Sequence, residues 1–109
     1  MEVQAQEYDG VTIVTVSGEI DGSTAPVLQD QVLAVCYEGC RLLLDMSGVE
    51  FMSSAGLRVM LLLHRQISGN GQVILAGPSD ALKDTMAATG FLNYFTLTDD
   101  VNAGLDALR

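Results

Sequence analysis

The chain has 109 residues, of which 49% are hydrophobic, and this is enough apolar material for one core in a single domain spanning residues 1–109. Five Lys and Arg residues stand against 14 Asp and Glu residues, so that the formal net charge is −9. This balance argues against nucleic acid and anionic membranes as partners, because both require a basic surface. It favours either a protein partner with basic patches or simple solubility.

No segment of the sequence predicts a membrane anchor or a secretory leader. The longest apolar run, Val59 to Leu63, is far shorter than the roughly 20 residues that a membrane-spanning helix needs. The first nine residues are polar and acidic, without the basic and apolar regions of a signal peptide. We therefore expect a cytoplasmic protein.

The first strands are predicted to form a hairpin. Val3 and Ala5 alternate with polar residues, and Val11 to Val16 is β-branched throughout. Between them, Asp9-Gly10 is a strong signal for a tight turn between antiparallel strands. Gly18 to Gly22 is expected to break the second strand.

A helix and a third strand should follow. Ser23 or Thr24 can cap the helix, and Gly39 is expected to end it. The uninterrupted apolar run within Arg41–Met46 is typical of a strand that is covered on both faces of a parallel sheet. Ser47-Gly48 is then expected to turn the chain.

The remaining sequence continues this alternation of helix and strand. The expected elements are a largely buried helix from about Leu57 to Ser68, a strand at Gln72–Ala76, a helix opened by Pro78-Ser79 and stopped at Gly90, a strand at Phe95–Leu97, and a last helix capped by Thr98 or Asp99. The order β-β-α-β-α-β-α-β-α predicts an α/β domain with a mostly parallel, five-stranded sheet and an antiparallel hairpin at its start.

The two cysteines, Cys36 and Cys40, lie close together near the end of the first predicted helix. A zinc site would need about two further ligands at suitable spacing, and His64 is the only histidine. We therefore expect no metal site. The cysteines are interpreted as small apolar thiols in a reducing compartment.

Three polar features are expected at one edge of the sheet, beyond the carboxyl ends of its strands, where ligand and partner sites of open α/β sheets gather. Asp21 follows the second strand, and Asp45 closes the third. Ser53 and Ser54 come just beyond, at the start of a helix. These side chains are candidates for a partner-binding surface.

Ser54 has two interpretations on physical grounds. Either Ser53 or Ser54 could be the N-cap of the helix, accepting a hydrogen bond from a free backbone N–H. Ser54 could instead accept a phosphate, because a helix N-terminus offers unpaired N–H groups and partial positive charge to an anion. Arg58 stands four residues further on, where its guanidinium can pair with such a phosphate.

The segment from Leu42 to Leu57, LLLDMSGVEFMSSAGL, resembles the signature of STAS-domain anti-sigma-factor antagonists. Gly18-Glu19-Ile20-Asp21 is similar to the family's turn after the second strand, and Thr89-Gly90-Phe91 to a third marked segment. The resemblance covers nearly the whole chain in the same order of elements. It implies the STAS fold.

The resemblance also implies a binding protein rather than an enzyme. In this family the unmodified antagonist binds an anti-sigma factor, a serine kinase of the histidine-kinase-like ATPase type, and sigma factor is thereby released. The kinase then phosphorylates the antagonist and the complex dissociates, after which a phosphatase resets the switch. The acceptor serine of the family matches Ser54, and Asp21 matches a position at the partner-binding surface.

Two residues depart from the family pattern. Many members have Asp immediately before the acceptor, whereas this chain has Ser53, which is therefore a second candidate for modification. Ala55 replaces a Ser or Thr that some members carry. The sequence is also compatible with a STAS scaffold or signalling-complex module that is not phosphorylated.

Other chemistries find little support in the sequence. A serine hydrolase would need a base, and His64 lies about ten residues from Ser54 along the same predicted helix, or ~15 Å along its axis. The chain contains neither a G-x-S-x-G elbow nor a G-x-x-x-x-G-K-[ST] phosphate loop. We therefore expect no catalytic residue and no cofactor.

Overall fold

Strands and helices alternate in the computed structural model, which describes residues 1–36, 39–69 and 71–108. The elements are β1 (Glu2–Tyr8), β2 (Val11–Ile20), α1 (Ala25–Val35), β3 (Arg41–Met52), α2 (Ser54–Ser68), β4 (Gln72–Ala76), α3 (Asp80–Ala88), β5 (Thr96–Thr98) and α4 (Val101–Ala107). A short 3-10 helix, Phe91–Tyr94, links α3 to β5 and was not predicted. The predicted order of elements is confirmed.

The strands form one five-stranded sheet in the order β1-β2-β3-β4-β5. β1 and β2 are antiparallel, and the other neighbours are parallel. Tyr8 lies opposite Val11, and the two residues between them have positive φ angles, 52° for Asp9 and 77° for Gly10. This is the tight turn that Asp-Gly predicts, since both central residues of such a turn require positive φ. The predicted fold class is confirmed.

The core has one layer on each face of the sheet. Successive side chains of β3 point alternately to the two faces and so contribute to both layers. Leu42 and Leu44 lie in the larger layer, which packs under α1, α2 and α3. Leu43 points to the opposite face and packs with Leu108 and the residues of α4. All three leucines are fully buried. The apolar run in this strand is thus explained by a sheet that is covered on both sides.

β2 and β3 are longer than the sequence predicted. They remain paired to their ends, with Ile20 opposite Met52, so the predicted turn at Ser47-Gly48 is wrong. Gly48 is a close-packing position instead, because a Cβ there would lie 2.8 Å from the Cβ of Ser17. Gly18 lies within β2 and has a φ of 94°, next to a shift in the strand register, so it bends the strand without ending it.

Several predicted helix ends are displaced. α1 ends at Val35 rather than at Gly39, and α2 begins at Ser54 rather than near Leu57. α4 is capped by Asp100, whose carboxylate accepts the N–H of Ala103 at 2.8 Å, rather than by Thr98 or Asp99. Tertiary packing and cap geometry fix such ends, and residue pattern alone places them only to within a few residues.

The prediction of two free thiols is wrong, because Cys36 and Cys40 form a disulfide. Their Cα atoms are 5.6 Å apart, a separation that a disulfide can bridge. The early end of α1 accounts for this pairing. Cys36 has an extended backbone after the last helical turn, and Gly39, with a φ of 84°, redirects the chain toward β3.

Candidate functional site

The ends of β2 and β3 bring two of the predicted features together. The backbone N–H of Ser53 donates to the carbonyl of Ile20 at 2.8 Å, one residue beyond the last pair of the two strands. Asp21 directly follows Ile20, and Ser54 directly follows Ser53. The carboxylate of Asp21 and the two serine hydroxyls therefore occupy one edge of the sheet, which we call the serine edge and define as Asp21, Ser53, Ser54 and Arg58.

The two serines of this edge have different roles in the helix. Ser53 is the N-cap of α2, and its hydroxyl accepts a hydrogen bond from the N–H of Gly56 at 3.4 Å. Ser54 is the first helical residue and its side chain is exposed, whereas Ser53 is half-buried. The alternative that Ser54 is the cap is therefore wrong. The hydroxyl of Ser54 faces solvent beside a helix N-terminus.

Gly56 allows α2 to begin so close to the sheet. A Cβ on Gly56 would lie 2.6 Å from Cγ of Met52 and 2.8 Å from Cγ2 of Ile20. It would also lie 3.1 Å from the carbonyl oxygen of Ile20, the same oxygen that accepts the N–H of Ser53. The absence of a side chain at this position thus helps to fix both serines at the edge.

Arg58 lies one turn after Ser54 on the exposed side of α2. Residues at i and i+4 of a helix have Cβ atoms about 5–6 Å apart, within reach of a long side chain. Lys83 pairs with Asp80, whereas Arg58 takes part in no ion pair within the part of the chain that the structure describes. Its guanidinium is available to an anion at Ser54 or to a partner.

Asp21 is held by the turn that leads into α1. Its Oδ1 accepts the hydroxyl of Ser23 at 2.8 Å and the N–H groups of Ser23 and Thr24 at 2.9 and 3.1 Å. The hydroxyl of Ser23 makes the largest contribution to lowering the pKa of this carboxyl, and the two N–H groups lower it further. Asp21 therefore carries a fixed negative charge at neutral pH.

Asp45 does not lie at the serine edge, contrary to the prediction. It lies inside β3, where pairing with β4 stops, and the strand continues for seven more residues, or about 23 Å, to Met52. Its side chain shares the Leu43 face of the sheet and lines a cleft of about 280 Å³ with Asp99 and Asp100, near the start of α4. Because α2 covers the opposite face, Asp45 and Ser54 belong to different surfaces.

Phe51 is a feature of this edge that the sequence analysis missed. Its side chain is 53% exposed, directly after exposed Glu50 and before buried Met52. The register shift between Gly18 and Glu19 leaves Glu50 without a partner in β2, so two consecutive side chains face outward. The aromatic side chain close to the two serines is a signal in the sequence that points to Phe51. Strict alternation of inward and outward side chains along β3 would, however, have placed Phe51 on the opposite face from Glu50.

His64 lies on α2, ten residues after Ser54, and packs elsewhere. Its ring meets that of Phe95 edge-on, with centroids 5.3 Å apart. Ten residues of helix separate it from Ser54 by about 15 Å along the axis. His64 is thus a packed histidine, and it gives Ser54 no imidazole base, in agreement with the distance expected from the sequence.

The serine edge presents hydroxyl, carboxylate and guanidinium groups at the carboxyl ends of two parallel strands of an α/β sheet. The STAS domain family matches residues 2–104. BtrV of Bordetella bronchiseptica is 27% identical over 111 residues, which cover all of this chain and 96% of that protein. The chain belongs to the STAS domain family.

Solved structures agree with this assignment. An anti-sigma factor antagonist from Mycobacterium paratuberculosis is 31% identical and superposes with a TM-score of 0.83, over 99% of this chain and 93% of that one. SpoIIAA of Bacillus in its phosphorylated form superposes with a TM-score of 0.75 over 99% of this chain and 100% of that one. At 18% identity the second likeness shows the fold alone. In the described residues no helix has the length and apolar character to cross a membrane.

Substituting the two serines separately should distinguish their structural roles. Ser53→Ala removes the cap of α2 and should lower the free energy of unfolding by about 1 kcal/mol. Ser54→Ala alters only an exposed side chain and should change it by less than about 0.5 kcal/mol. Urea denaturation of the two variants measures the difference. Equal losses would contradict the assignment of Ser53 as the cap.

Proposed function

We propose that this protein is an anti-sigma-factor antagonist of the cytoplasm, and that phosphorylation of Ser54 controls its binding. Its partner is an anti-sigma factor that is also a serine kinase of the histidine-kinase-like ATPase type, and a phosphatase restores the unmodified form. The protein regulates transcription by releasing sigma factor from that partner. The observation that carries the proposal is the exposed hydroxyl of Ser54 at the start of α2.

The different positions of the two serines, with Ser53 as the cap of α2 and Ser54 exposed, support Ser54 as the acceptor. A hydroxyl must leave its hydrogen bonds and reach the kinase before it can attack a phosphoryl group. Ser53 is half-buried and its oxygen already accepts the N–H of Gly56. The hydroxyl of Ser54 makes no such hydrogen bond to any of the described residues, so its phosphorylation leaves the cap of α2 in place.

Ser53 also performs the capping role for which Asp is suited. Asp and Ser are comparably good N-caps, because each presents an oxygen to the free N–H groups of the first turn. The hydroxyl of Ser53 makes this contact to Gly56. Ser53 can therefore serve as the cap in place of the family's Asp, while removing one negative charge next to Ser54.

A phosphate on Ser54 would be compatible with the fold of this protein but would weaken binding of the partner. The helix N-terminus and the guanidinium of Arg58 stabilise it locally. It adds about −1.5 to −2 charges at neutral pH to a surface where Asp21 is already ionised. A partner surface that matches the unmodified edge would then meet excess negative charge, and the complex would weaken.

The test combines this protein with purified anti-sigma-factor kinases from the same organism. Calorimetry should show binding of the unmodified protein, and ATP should transfer phosphate to Ser54, located by mass spectrometry. Binding without phosphate transfer would instead identify a STAS scaffold or signalling module. Absence of binding to any such kinase would overturn the proposed function.

A further inference from the structure

The Cys36–Cys40 disulfide lies away from the serine edge, at the opposite end of α1 from Asp21. We propose that this pair is a reversible redox-modification site whose reductant is a low-molecular-weight thiol. In the oxidised form the bond fastens the end of α1 to the start of β3. The proposal does not depend on the proposed function, because neither cysteine belongs to the serine edge.

Both cysteines are anchored by backbone contacts that do not involve the disulfide. The N–H of Cys36 donates to the carbonyl of Val32 at 2.9 Å, and the carbonyl of Cys40 accepts the N–H of Gln72 at 3.1 Å. Gly71 also packs closely against the backbone of Cys40. These contacts hold the end of α1 and the start of β3 when the sulfur–sulfur bond is broken.

The surroundings of Cys36 accommodate either redox state. Cys36 is 2% exposed and belongs to the larger core layer, to which partly buried Cys40 also packs. A neutral thiol behaves as a small apolar group, so reduction introduces no charge or strongly polar group into this layer. The pair can therefore be opened and closed without unfolding the domain.

The difference in exposure between the two residues sets the order of bond changes. A thiolate from the reductant attacks Sγ of the more exposed Cys40, the Cys36–Cys40 bond breaks, and the Cys36 sulfur leaves as a thiolate that takes up a proton. A second thiolate of the reductant then attacks the reductant's sulfur in the mixed disulfide with Cys40. Cys40 then leaves and is protonated, so two thiols of the reductant become one disulfide.

The short separation of the cysteines favours reversibility. The disulfide closes a loop between residues only four positions apart. Loop-closure entropy grows with loop length, so this bond constrains the unfolded chain less than a long-range disulfide does. Disulfide formation and folding are thermodynamically linked. The free energy by which folding favours the disulfide therefore equals the free energy by which the disulfide stabilises the folded state. A bond that the fold stabilises weakly is open to exchange with thiols in solution.

The test is a redox titration of the intact, folded protein in glutathione buffers that run from fully oxidised to fully reduced. Trapping with an alkylating reagent should show two thiols per chain appearing within that range. Hydrogen exchange should become faster in the last turn of α1, Leu33–Cys36, and stay unchanged at α2. The double variant C36A/C40A should show no response of exchange to glutathione.

Three results would overturn the proposal. If both thiols are alkylated in fully oxidised glutathione, the pair is two core thiols and no redox site. If no thiol appears in fully reduced glutathione, the disulfide is a permanent staple. If reduction unfolds the domain, as seen by loss of exchange protection throughout the sheet, the site cannot act reversibly.

Discussion

Ser54→Ala should abolish phosphate incorporation from the kinase while the domain stays folded. The substitution removes the one exposed hydroxyl at the start of α2 and leaves the cap contact of Ser53 to Gly56 unchanged. Radiolabelled ATP and phosphosite mapping measure the incorporation, and urea denaturation checks the fold. The matched control is Ser53→Ala, which should still accept phosphate at Ser54 although its helix is less stable.

The outcome that would contradict this prediction is specific. Phosphate found on Ser53 in the Ser54→Ala variant, at the stoichiometry of the unaltered protein, would assign the acceptor to the capping serine. The capping hydrogen bond would then have to open during transfer. Loss of phosphate from both variants would mean that the integrity of the helix start, and not the Ser54 hydroxyl alone, limits the reaction.

Ser54→Asp tests how a negative charge at this position affects kinase binding, without any phosphate transfer. A carboxylate at this position adds one negative charge beside ionised Asp21 and should weaken kinase binding about tenfold or more, or at least ~1.4 kcal/mol. Ser53→Ala should weaken it less, because it adds no charge. If calorimetry gives the two variants equal affinities for the kinase, the electrostatic explanation of dissociation is wrong.

Much of the fold was predictable because apolar periodicity and turn residues act locally. The Asp9-Gly10 turn required positive φ at both positions, and few other sequences provide it so readily. The run Leu42–Leu44 indicated a strand covered on both faces, which is where it lies. Placing Ser53 and Ser54 at a helix start likewise followed from the residues.

The error at the end of β3 arose because a glycine has more than one physical role. Gly48 was interpreted as a turn residue, but it allows close approach of β2 at Ser17 within a continuous strand. That misinterpretation ended β3 too early and grouped Asp45 with Ser54, whereas Asp45 lies seven residues before the end of β3 and on the opposite face of the sheet from α2. A turn glycine and a close-packing glycine are identical in sequence, and only the partner strand distinguishes them.

Gly56→Ala should destabilise the domain and weaken partner binding, although alanine favours helix formation over glycine by up to about 1 kcal/mol. The new Cβ would lie within 2.8 Å of atoms of Met52 and Ile20, whose side chains are 4% and 0% exposed. Overpacking in such a site costs about 1–3 kcal/mol, so we expect a net loss of stability in urea denaturation.

Gly69→Ala is the matched control at the other end of α2. Gly69 has helical backbone angles, with φ −58° and ψ −42°, and a Cβ there would meet no atom within 4 Å. Alanine should be neutral or stabilise the domain by about 0.4–1 kcal/mol, since it restricts the unfolded chain. Opposite signs for the same substitution at the two ends of α2 would show that contact with the sheet decides the outcome.

Partner binding extends this argument to function. Displacing the start of α2 by a few tenths of an ångström moves Ser53, whose N–H is bonded to the Ile20 carbonyl that the new Cβ would crowd. Kinase binding by the folded Gly56→Ala variant should therefore fall, while that of Gly69→Ala stays unchanged. If Gly56→Ala is as stable as the unaltered protein and binds the kinase as well, the close approach at Gly56 does not hold the serine edge in position.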